Sequence, residues 1–182
     1  MFYKLTMEDY VRVPPNLFEL DTKVALLKRL SQHFEGHIDK EYGVVIDVDA
    51  ITAVAQGVII PGDGAVYYKT TFTLLVFKPE MQEVVLGKIR DIADFGAFLS
   101  MGTLDGMIHI SQTMDDFVTF GKEKALLGKD SKQTLKVGDV CKAKIIAISF
   151  KEITNPRIGL TMRSKGLGKL EWLEEKAKEK AA

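Results

Sequence analysis

Two short segments in the second half of the chain, residues 87–99 and 105–111, combine aromatic rings with cations. Successive side chains of a β-strand face opposite sides, so an inward Ile89, Leu99 and Ile108 would turn their neighbours outward. The outward set would be Lys88, Arg90, Phe98 and His109, with Phe95 in the turn between two strands. Flat rings can stack on unpaired bases while cations meet the phosphates. The pattern therefore indicates a surface for single-stranded nucleic acid, or else two phenylalanines of the core and a solvated histidine.

Other kinds of site have little support in the residues present. The only cysteine, Cys141, excludes an intrachain disulfide and a cysteine-cluster metal site. Three histidines supply few ligands for a zinc site. The sequence contains neither a phosphate-binding glycine loop nor a nucleophile elbow. Asp47 and Asp49 can chelate a divalent ion from one strand face, but a solvated face or one buried against a partner explains them more simply. We therefore expect no catalytic residue, no metal and no cofactor, and a buried apolar role for Cys141.

The composition is that of a globular protein, with 46% hydrophobic and 27% charged residues among 182. The formal net charge is zero, yet residues 1–80 carry 8 Lys+Arg against 11 Asp+Glu and residues 81–182 carry 17 against 14. A polyanion would therefore favour the second half. No apolar run approaches the roughly 20 residues of a membrane span, and the acidic N-terminus is unlike a secretory signal. We expect a soluble, cytoplasmic protein that is not in the membrane.

The first half predicts a helix lying on a sheet. Residues 4–13 form a strand that Pro14 and Pro15 end, because neither proline can donate to a continuing ladder. Asp21 can cap the helix that follows and Gly36 can close it. The spacing of the apolar residues predicts that one helix face packs on the sheet, and this face consists of Val24, Leu27, Leu30 and Phe34.

Two long strands follow this helix, at residues 43–56 and 65–77, and the apolar phase of the first slips near Ala50, which predicts a β-bulge. Between them lies a turn segment in which three bulky aliphatics precede two turn dipeptides. The segment reads Val58-Ile59-Ile60-Pro61-Gly62-Asp63-Gly64. A hairpin tip of this kind is either plain sheet core or an exposed docking surface.

The second half begins after Lys78-Pro79-Glu80, where the proline ends the preceding strand. Short, glycine-punctuated strands at residues 84–92, 97–100, 107–110, 140–149 and 157–162 predict a small barrel. The polar stretch at residues 111–137 predicts a surface loop with a helical turn near residues 122–127. Residues 167–182 predict a final helix, whose Trp172 serves either a partner or the barrel.

The second half resembles the RNA-binding OB-fold domain known as the S-one (S1) domain. The matching pieces are residues 87–92, 94–98, 106–111, 137–140 and 157–161, in the order of that family. The resemblance implies that Phe95, Phe98, His109 and Arg157 take RNA-facing positions.

The whole chain resembles one family, the stalk subunits of RNA polymerase, which includes the archaeal E-prime polypeptide and the seventh-largest subunit of eukaryotic RNA polymerase II. The resemblance rests on the N-terminal strand, the two prolines, the helix, residues 57–64 and residues 75–79 directly before an S1 domain. It implies an α+β chain: a ribonucleoprotein-like α/β sheet domain at residues 1–79, then an all-β OB-fold barrel with a C-terminal helix at residues 80–182.

The same resemblance implies a non-catalytic function within the DNA-directed RNA polymerase. The first domain would bind the small helical F subunit of RNA polymerase as a heterodimer and dock on the polymerase core through Ile59, Ile60, Pro61, Gly62, Asp63 and Gly64. The second would hold the emerging single-stranded transcript and aid initiation and processivity. The alternative is a free-standing S1 protein of translation or RNA decay, which would not need an acidic sheet domain with an aliphatic tip.

Overall fold

The computed structural model describes residues 1–121, 124–150 and 156–181, without the side chains of residues 176, 177 and 179–181. The chain forms two compact units, Met1–Lys78 and Pro79–Ala182. Within the described part of the chain, neither helix is long and apolar enough to cross a membrane.

The first unit is one antiparallel sheet with a helix. Its elements are β1 (Phe2–Val13), α1 (Thr22–Phe34), β2 (Ile38–Asp39), β3 (Gly43–Val54), β4 (Val58–Ile59) and β5 (Val66–Phe77). The strand order is β1-β5-β3-β2, and β4 pairs with the start of β5. The strand, helix and long-strand pair predicted from the sequence are all confirmed.

Helix α1 packs on this sheet through a face that differs from the predicted one. The side chain of Asp21 accepts a hydrogen bond from the Lys23 amide and caps the helix as predicted. Leu30 and Phe34 are buried, and the ring of Phe34 lies 5.2 Å from that of Phe72. The remaining buried residues are Ala25 and Leu26, whereas the predicted Val24 and Leu27 are exposed. Apolar residues lie on two adjacent faces of the helix in its first two turns. The spacing of apolar residues therefore could not identify the buried face there, and the predicted face was wrong.

Strand β3 is irregular, and this explains its mixed polarity. The register against β5 shifts between Val45 and Asp47, between Val48 and Ala50, and between Ile51 and Ala53. The predicted bulge near Ala50 is therefore confirmed, and two further irregularities flank it. Each added residue turns the following side chains to the other face of the sheet.

The second unit contains the other strands and the second α-helix of the described residues, beside a short 3-10 helix at Ile110–Gln112. They are β6 (Val84–Ala93), β7 (Gly96–Ser100), β8 (Asp105–His109), β9 (Val118–Gly121), β10 (Ala125–Gly128), β11 (Thr134–Lys136), β12 (Val140–Ser149), β13 (Arg157–Thr161), β14 (Gly168–Lys169) and α2 (Leu170–Ala181). Five of these close into a barrel in the order β13-β8-β7-β6-β12, with β12 pairing back to β13. The barrel predicted from the sequence is confirmed, and Ile89, Leu99, Ile108, Ile145 and Ile158 fill its interior.

The stretch predicted as a surface loop contains three short strands, which form a small antiparallel sheet in the order β11-β10-β9. We call this sheet the meander. Residues 125–127 of the predicted helical turn lie in β10, so that prediction is wrong; Lys122 and Glu123 lie outside the described residues. Leu126 and Leu135 are fully buried. The carboxylate of Asp116 accepts hydrogen bonds from the Ser131 amide and hydroxyl, which keep its pKa below the ordinary value. Two buried leucines and one carboxylate thus order a segment of polar composition.

The C-terminal helix begins at Leu170, three residues later than predicted. Gly168 and Lys169 instead form β14, which pairs with Lys142 and Cys141 of the barrel. Trp172, in the first turn of α2, lies half-buried beside Gly168 of β14.

Candidate nucleic-acid interface

The outer surface of β6, β7 and β8 carries the aromatic residues predicted to bind nucleic acid. Phe98 of β7 is in register with Asp91 of β6 and with Met107 of β8. Cross-strand partners share a face of the sheet, so these three side chains form one row across the barrel. We call this row, together with Phe95 and His109, the ring face.

Phe95 and Phe98 lie close together but are not parallel. Phe95 is 47% exposed in the turn between β6 and β7, whereas Phe98 is half-buried. Their ring centroids are 5.9 Å apart and their planes meet at 89°. A base that stacks flat on one ring therefore meets the edge of the other, which is a favoured aromatic geometry.

Gly96 allows the turn to lie close to the neighbouring strand. A Cβ atom at this position would collide with the carbonyl oxygen of Ile108 on β8. The amide of Ile110 donates to the carbonyl of Phe95 at 2.9 Å, which fixes the turn against the end of β8. The close approach places Phe95 beside His109, the register partner of Gly96.

His109 is exposed at the end of β8, in the outward phase predicted for it. Its Nδ1 accepts a hydrogen bond from the Ser111 amide at 3.3 Å and lies 2.8 Å from the Ser111 hydroxyl. In the neutral ring this assigns the proton to Nε2. The ring is thus held in one orientation with a donor remaining for a ligand.

Met107 is a member of the ring face that sequence reasoning missed. It is partly exposed between Phe98 and Gly159, its register partner on β13. The alternation that turned His109 outward applies equally to Met107, two residues earlier, so the signal was present. Met107 has a polarizable thioether, and it lies between the Phe98 ring and Gly159, which has no side chain. This part of the ring face is therefore flat and apolar.

The predicted cations are exposed, but carboxylates accompany them. Lys88 and Arg90 flank the buried Ile89 as predicted, with Arg90 in a register shift between Ile89 and Asp91. The guanidinium of Arg90 lies 2.6 Å from a carboxylate oxygen of Asp105 on β8. Arg157, also exposed, starts β13 opposite Ser149. The structure therefore brings the rings together, with Arg90 already in an ion pair.

The predicted tip, Ile59–Gly64, is an exposed turn held by short strands. Val58 and Ile59 of β4 pair with Tyr67 and Val66 of β5. Ile59 is 68% exposed, and Val58 and Ile60 are also exposed. Of the two alternatives left open by the sequence, plain sheet core does not describe these three side chains.

A three-residue cluster fixes the tip to the sheet. Arg12 of β1 forms a two-pronged ion pair with Asp63, with Nη2 2.5 Å from Oδ1 and Nε 3.0 Å from Oδ2. The Tyr67 hydroxyl donates to the same carboxylate at 2.5 Å. These donors, Arg12 first, lower the pKa of Asp63 from 3.8 to about 2. Asp63 thus orients the turn from within, between the conformationally free Gly62 and Gly64, whose φ angles are +95° and +67°.

Acid is expected to loosen the tip only well below pH 4. Because the pKa of Asp63 is depressed in the folded protein, the ionised carboxylate contributes fully above its ordinary pKa of 3.8 and loses its contribution as the pH falls toward about 2. Arg12→Gln should move the Asp63 carboxyl titration, followed by ¹³C NMR while the spectrum stays folded, upward toward 3.8. The same midpoint in both proteins would contradict the assigned pair.

Other residues considered for chemistry have structural partners. Cys141 is buried, and burial raises the pKa of its thiol to about 12. Asp49 pairs with Lys4 at 2.8 Å, and Asp47 accepts a hydrogen bond from the amide of Val48. Within residues 1–121, 124–150 and 156–181 no group of three or more His, Cys, Asp or Glu is placed to hold a metal ion.

Two protein families match successive parts of the chain. A model described as the SHS2 domain found in the N terminus of Rpb7p/Rpc25p/MJ0397 matches residues 8–64. The model of the S1 RNA binding domain matches residues 78–152. The first span lies within the sheet unit and ends before β5, and the second contains the barrel strands β6, β7, β8 and β12.

Several curated proteins are similar over most or part of the chain. DNA-directed RNA polymerase subunit Rpo7 of Sulfolobus acidocaldarius is 36% identical over 176 residues, which cover 96% of each chain. Its namesake in Saccharolobus solfataricus is 33% identical over 181 residues, 98% of this chain and 100% of that one. DNA-directed RNA polymerase III subunit RPC8 of Saccharomyces cerevisiae is 34% identical over 114 residues, 63% of this chain and 54% of that protein.

Solved structures resemble a part of the chain. Mycoplasma genitalium RNase R in complex with ribose methylated single-stranded RNA covers 44% of this chain and 13% of its own, with 34% identity and a TM-score of 0.39. GSP13 from Bacillus subtilis covers 47% of this chain and 57% of its own, with 29% identity and a TM-score of 0.36.

Proposed function

Because this chain belongs to the Rpo7 family of DNA-directed RNA polymerase subunits, we propose that it is a non-catalytic stalk subunit that holds emerging single-stranded RNA. In this proposal residues 1–79 dock on the polymerase core and on the F subunit, and residues 80–182 bind the transcript. The protein then aids initiation and processivity in the cytoplasm, and uses no cofactor of its own. The observation that carries the proposal is the ring face, a mainly aromatic surface on the wall of an S1-type barrel.

The ring face suits unpaired bases better than it suits a duplex. Phe95 lies in a turn, His109 at the end of β8 and Phe98 in the middle of β7, and unstacked bases of single-stranded RNA can reach their rings on the outside of the barrel. Stacking is tolerant of base identity, which a protein that follows every transcript needs. Lys88, Arg90 and Arg157 supply charge for the phosphates on the same barrel.

The tip suits attachment to a large protein partner. Three neighbouring aliphatic side chains, Val58, Ile59 and Ile60, face solvent on a turn that the Arg12–Asp63 pair holds rigid. Ordering the turn in advance removes part of the entropy lost on binding. Pro61, Gly62 and Gly64 complete a narrow turn that can enter a pocket of the polymerase core.

The F subunit is assigned to another surface of the first unit. Within the described part of the chain, β1 pairs only with β5 and its second edge carries no strand. Phe2, Tyr3 and Tyr10 are exposed along this edge strand. A long unpaired edge with exposed rings is a surface that proteins normally cover, and a permanent partner protein would cover it.

Ile59→Glu is expected to weaken attachment to the polymerase core by roughly tenfold or more, because it places a charge in a desolvated contact. The measurement is co-elution of the purified chain and the F subunit with core polymerase that lacks the stalk. Val137→Glu, also at an exposed aliphatic residue but in the second unit, is the matched control. RNA binding by Ile59→Glu should stay unchanged, and normal attachment of this variant would remove the tip from the docking surface.

A further inference from the structure

Lys124, the residue directly before β10, brings a cation to the ring face from outside the barrel. The ammonium of Lys124 lies 2.9 Å from Oδ1 of Asp91. Asp91 is the register partner of Phe98, so both side chains lie on the same face of the β6–β7 pair. Asp91 therefore contacts Lys124 and also neighbours Phe98, the ring on which a base would stack.

The backbone of Lys124 adopts a conformation that is unfavourable for a residue with a side chain. Its φ angle is +49°, in the left-handed region that L-residues rarely adopt. Ala125, the next residue, pairs with Gly121 and starts the buried part of β10. Such outliers persist only where the surrounding structure over-determines them, and they cluster at binding sites.

The Lys124–Asp91 pair is open enough to accept a further ligand. The side chain of Lys124 is 64% exposed and that of Asp91 is 53% exposed. An ammonium group has three N–H donors, and the carboxylate oxygen at 2.9 Å occupies one of them. The ion pair also keeps the pKa of Asp91 below its ordinary value, with Lys124 as the main cause, so the carboxylate stays charged and keeps the lysine in place.

We propose that Lys124 binds a phosphate group of the RNA strand whose base stacks on Phe98. The inference rests on the proposed RNA-binding function. It adds to the RNA-binding surface of the barrel a phosphate contact from Lys124, next to the meander. Asp91 positions the lysine and at the same time repels the phosphate, so RNA binds against a neutral pair rather than a bare cation. Phosphate oxygens are strong acceptors for the remaining ammonium donors.

The test measures binding of a fluorescein-labelled 12-nucleotide oligouridine by anisotropy over a series of salt concentrations. Lys124→Gln should weaken binding at low salt by up to about fivefold. It should also reduce the slope of log K against log salt by about 0.7, the value for one phosphate contact on a single strand. Lys4→Gln is the matched control, because the side chain of Lys4 is about as exposed as that of Lys124 and forms an ion pair with Asp49 at 2.8 Å in the first unit. Unchanged affinity and slope in Lys124→Gln would overturn the proposal.

Asp91→Asn separates a phosphate contact from simple neutralisation. The single variant should bind RNA more tightly, because the carboxylate that repels the phosphate is gone. Lys124→Gln should still weaken binding in this background, but by less than in the wild type, because Asp91 no longer positions the lysine. A loss that disappears in the Asp91→Asn background would overturn the direct contact, because the lysine would then act only by masking Asp91. If Phe98→Ala weakens binding in the same assay while Lys124→Gln does not, the phosphate site is wrong and the RNA-binding face stands; if neither variant has an effect, the ring face itself is wrong.

Discussion

Phe98→Ala is expected to weaken binding of single-stranded RNA by about 1–3 kcal/mol, roughly 5- to 150-fold, the range for loss of one base–aromatic stack. Phe98 lies at the centre of the ring face, between Asp91 and Met107 and in edge contact with Phe95. Its removal therefore takes away one platform and also the support of the neighbouring ring. Anisotropy titration with labelled oligouridine measures the effect.

The control for Phe98→Ala must separate binding from folding. Phe98 is half-buried, so its loss also lowers the stability of the barrel, and circular dichroism should show a folded protein at the assay temperature. Phe18→Ala removes an equally large, exposed ring from the first unit and should leave RNA affinity unchanged. Equal effects of the two variants, or none from Phe98→Ala in a folded protein, would exclude stacking on this ring.

The barrel and most outward positions of its ring face were predictable from the sequence because they depend on short-range alternation. Asp91 is an exception, because the register shift after Ile89 turns it outward. Inward Ile89, Leu99 and Ile108 require outward neighbours whatever the rest of the fold does. The exposed positions of Lys88, Arg90 and His109 follow from this rule alone. The RNA-binding roles of these residues are proposals, because the alternation of side chains along a strand determines which face a side chain is on and not which ligand it contacts.

The ion pairs of the site were not predictable, because each joins residues that are distant in sequence. Arg90 pairs with Asp105 and Lys124 with Asp91, across 15 and 33 positions. The tip depends on a partner for Asp63 that lies 51 residues earlier. Only the register between strands decides these contacts, and bulges change that register by one residue at a time. The net positive charge at the ring face is consequently smaller than the lysines and arginines of the sequence indicated, because carboxylates pair with Arg90 and Lys124.

The meander was missed for a different reason, since its ordering depends on few residues. Its composition is polar, and the apolar residues of β10 stand side by side rather than alternating. Leu126 is fully buried, whereas its neighbour Leu127 is 41% exposed. Local propensity cannot distinguish these two leucines, and only tertiary packing does.

Leu126→Ala is accordingly expected to lower the free energy of unfolding of the second unit by about 2–5 kcal/mol, the range for leucine truncation in a core. Leu127→Ala, one position along the same strand, should cost far less because its side chain keeps contact with water. Urea denaturation followed by fluorescence measures both, since the single tryptophan, Trp172, lies in this unit. If the two variants unfold at the same urea concentration, residues 118–136 behave as the surface loop that their composition predicts, and Lys124 then has no ordered β10 strand beside it to hold it at the ring face.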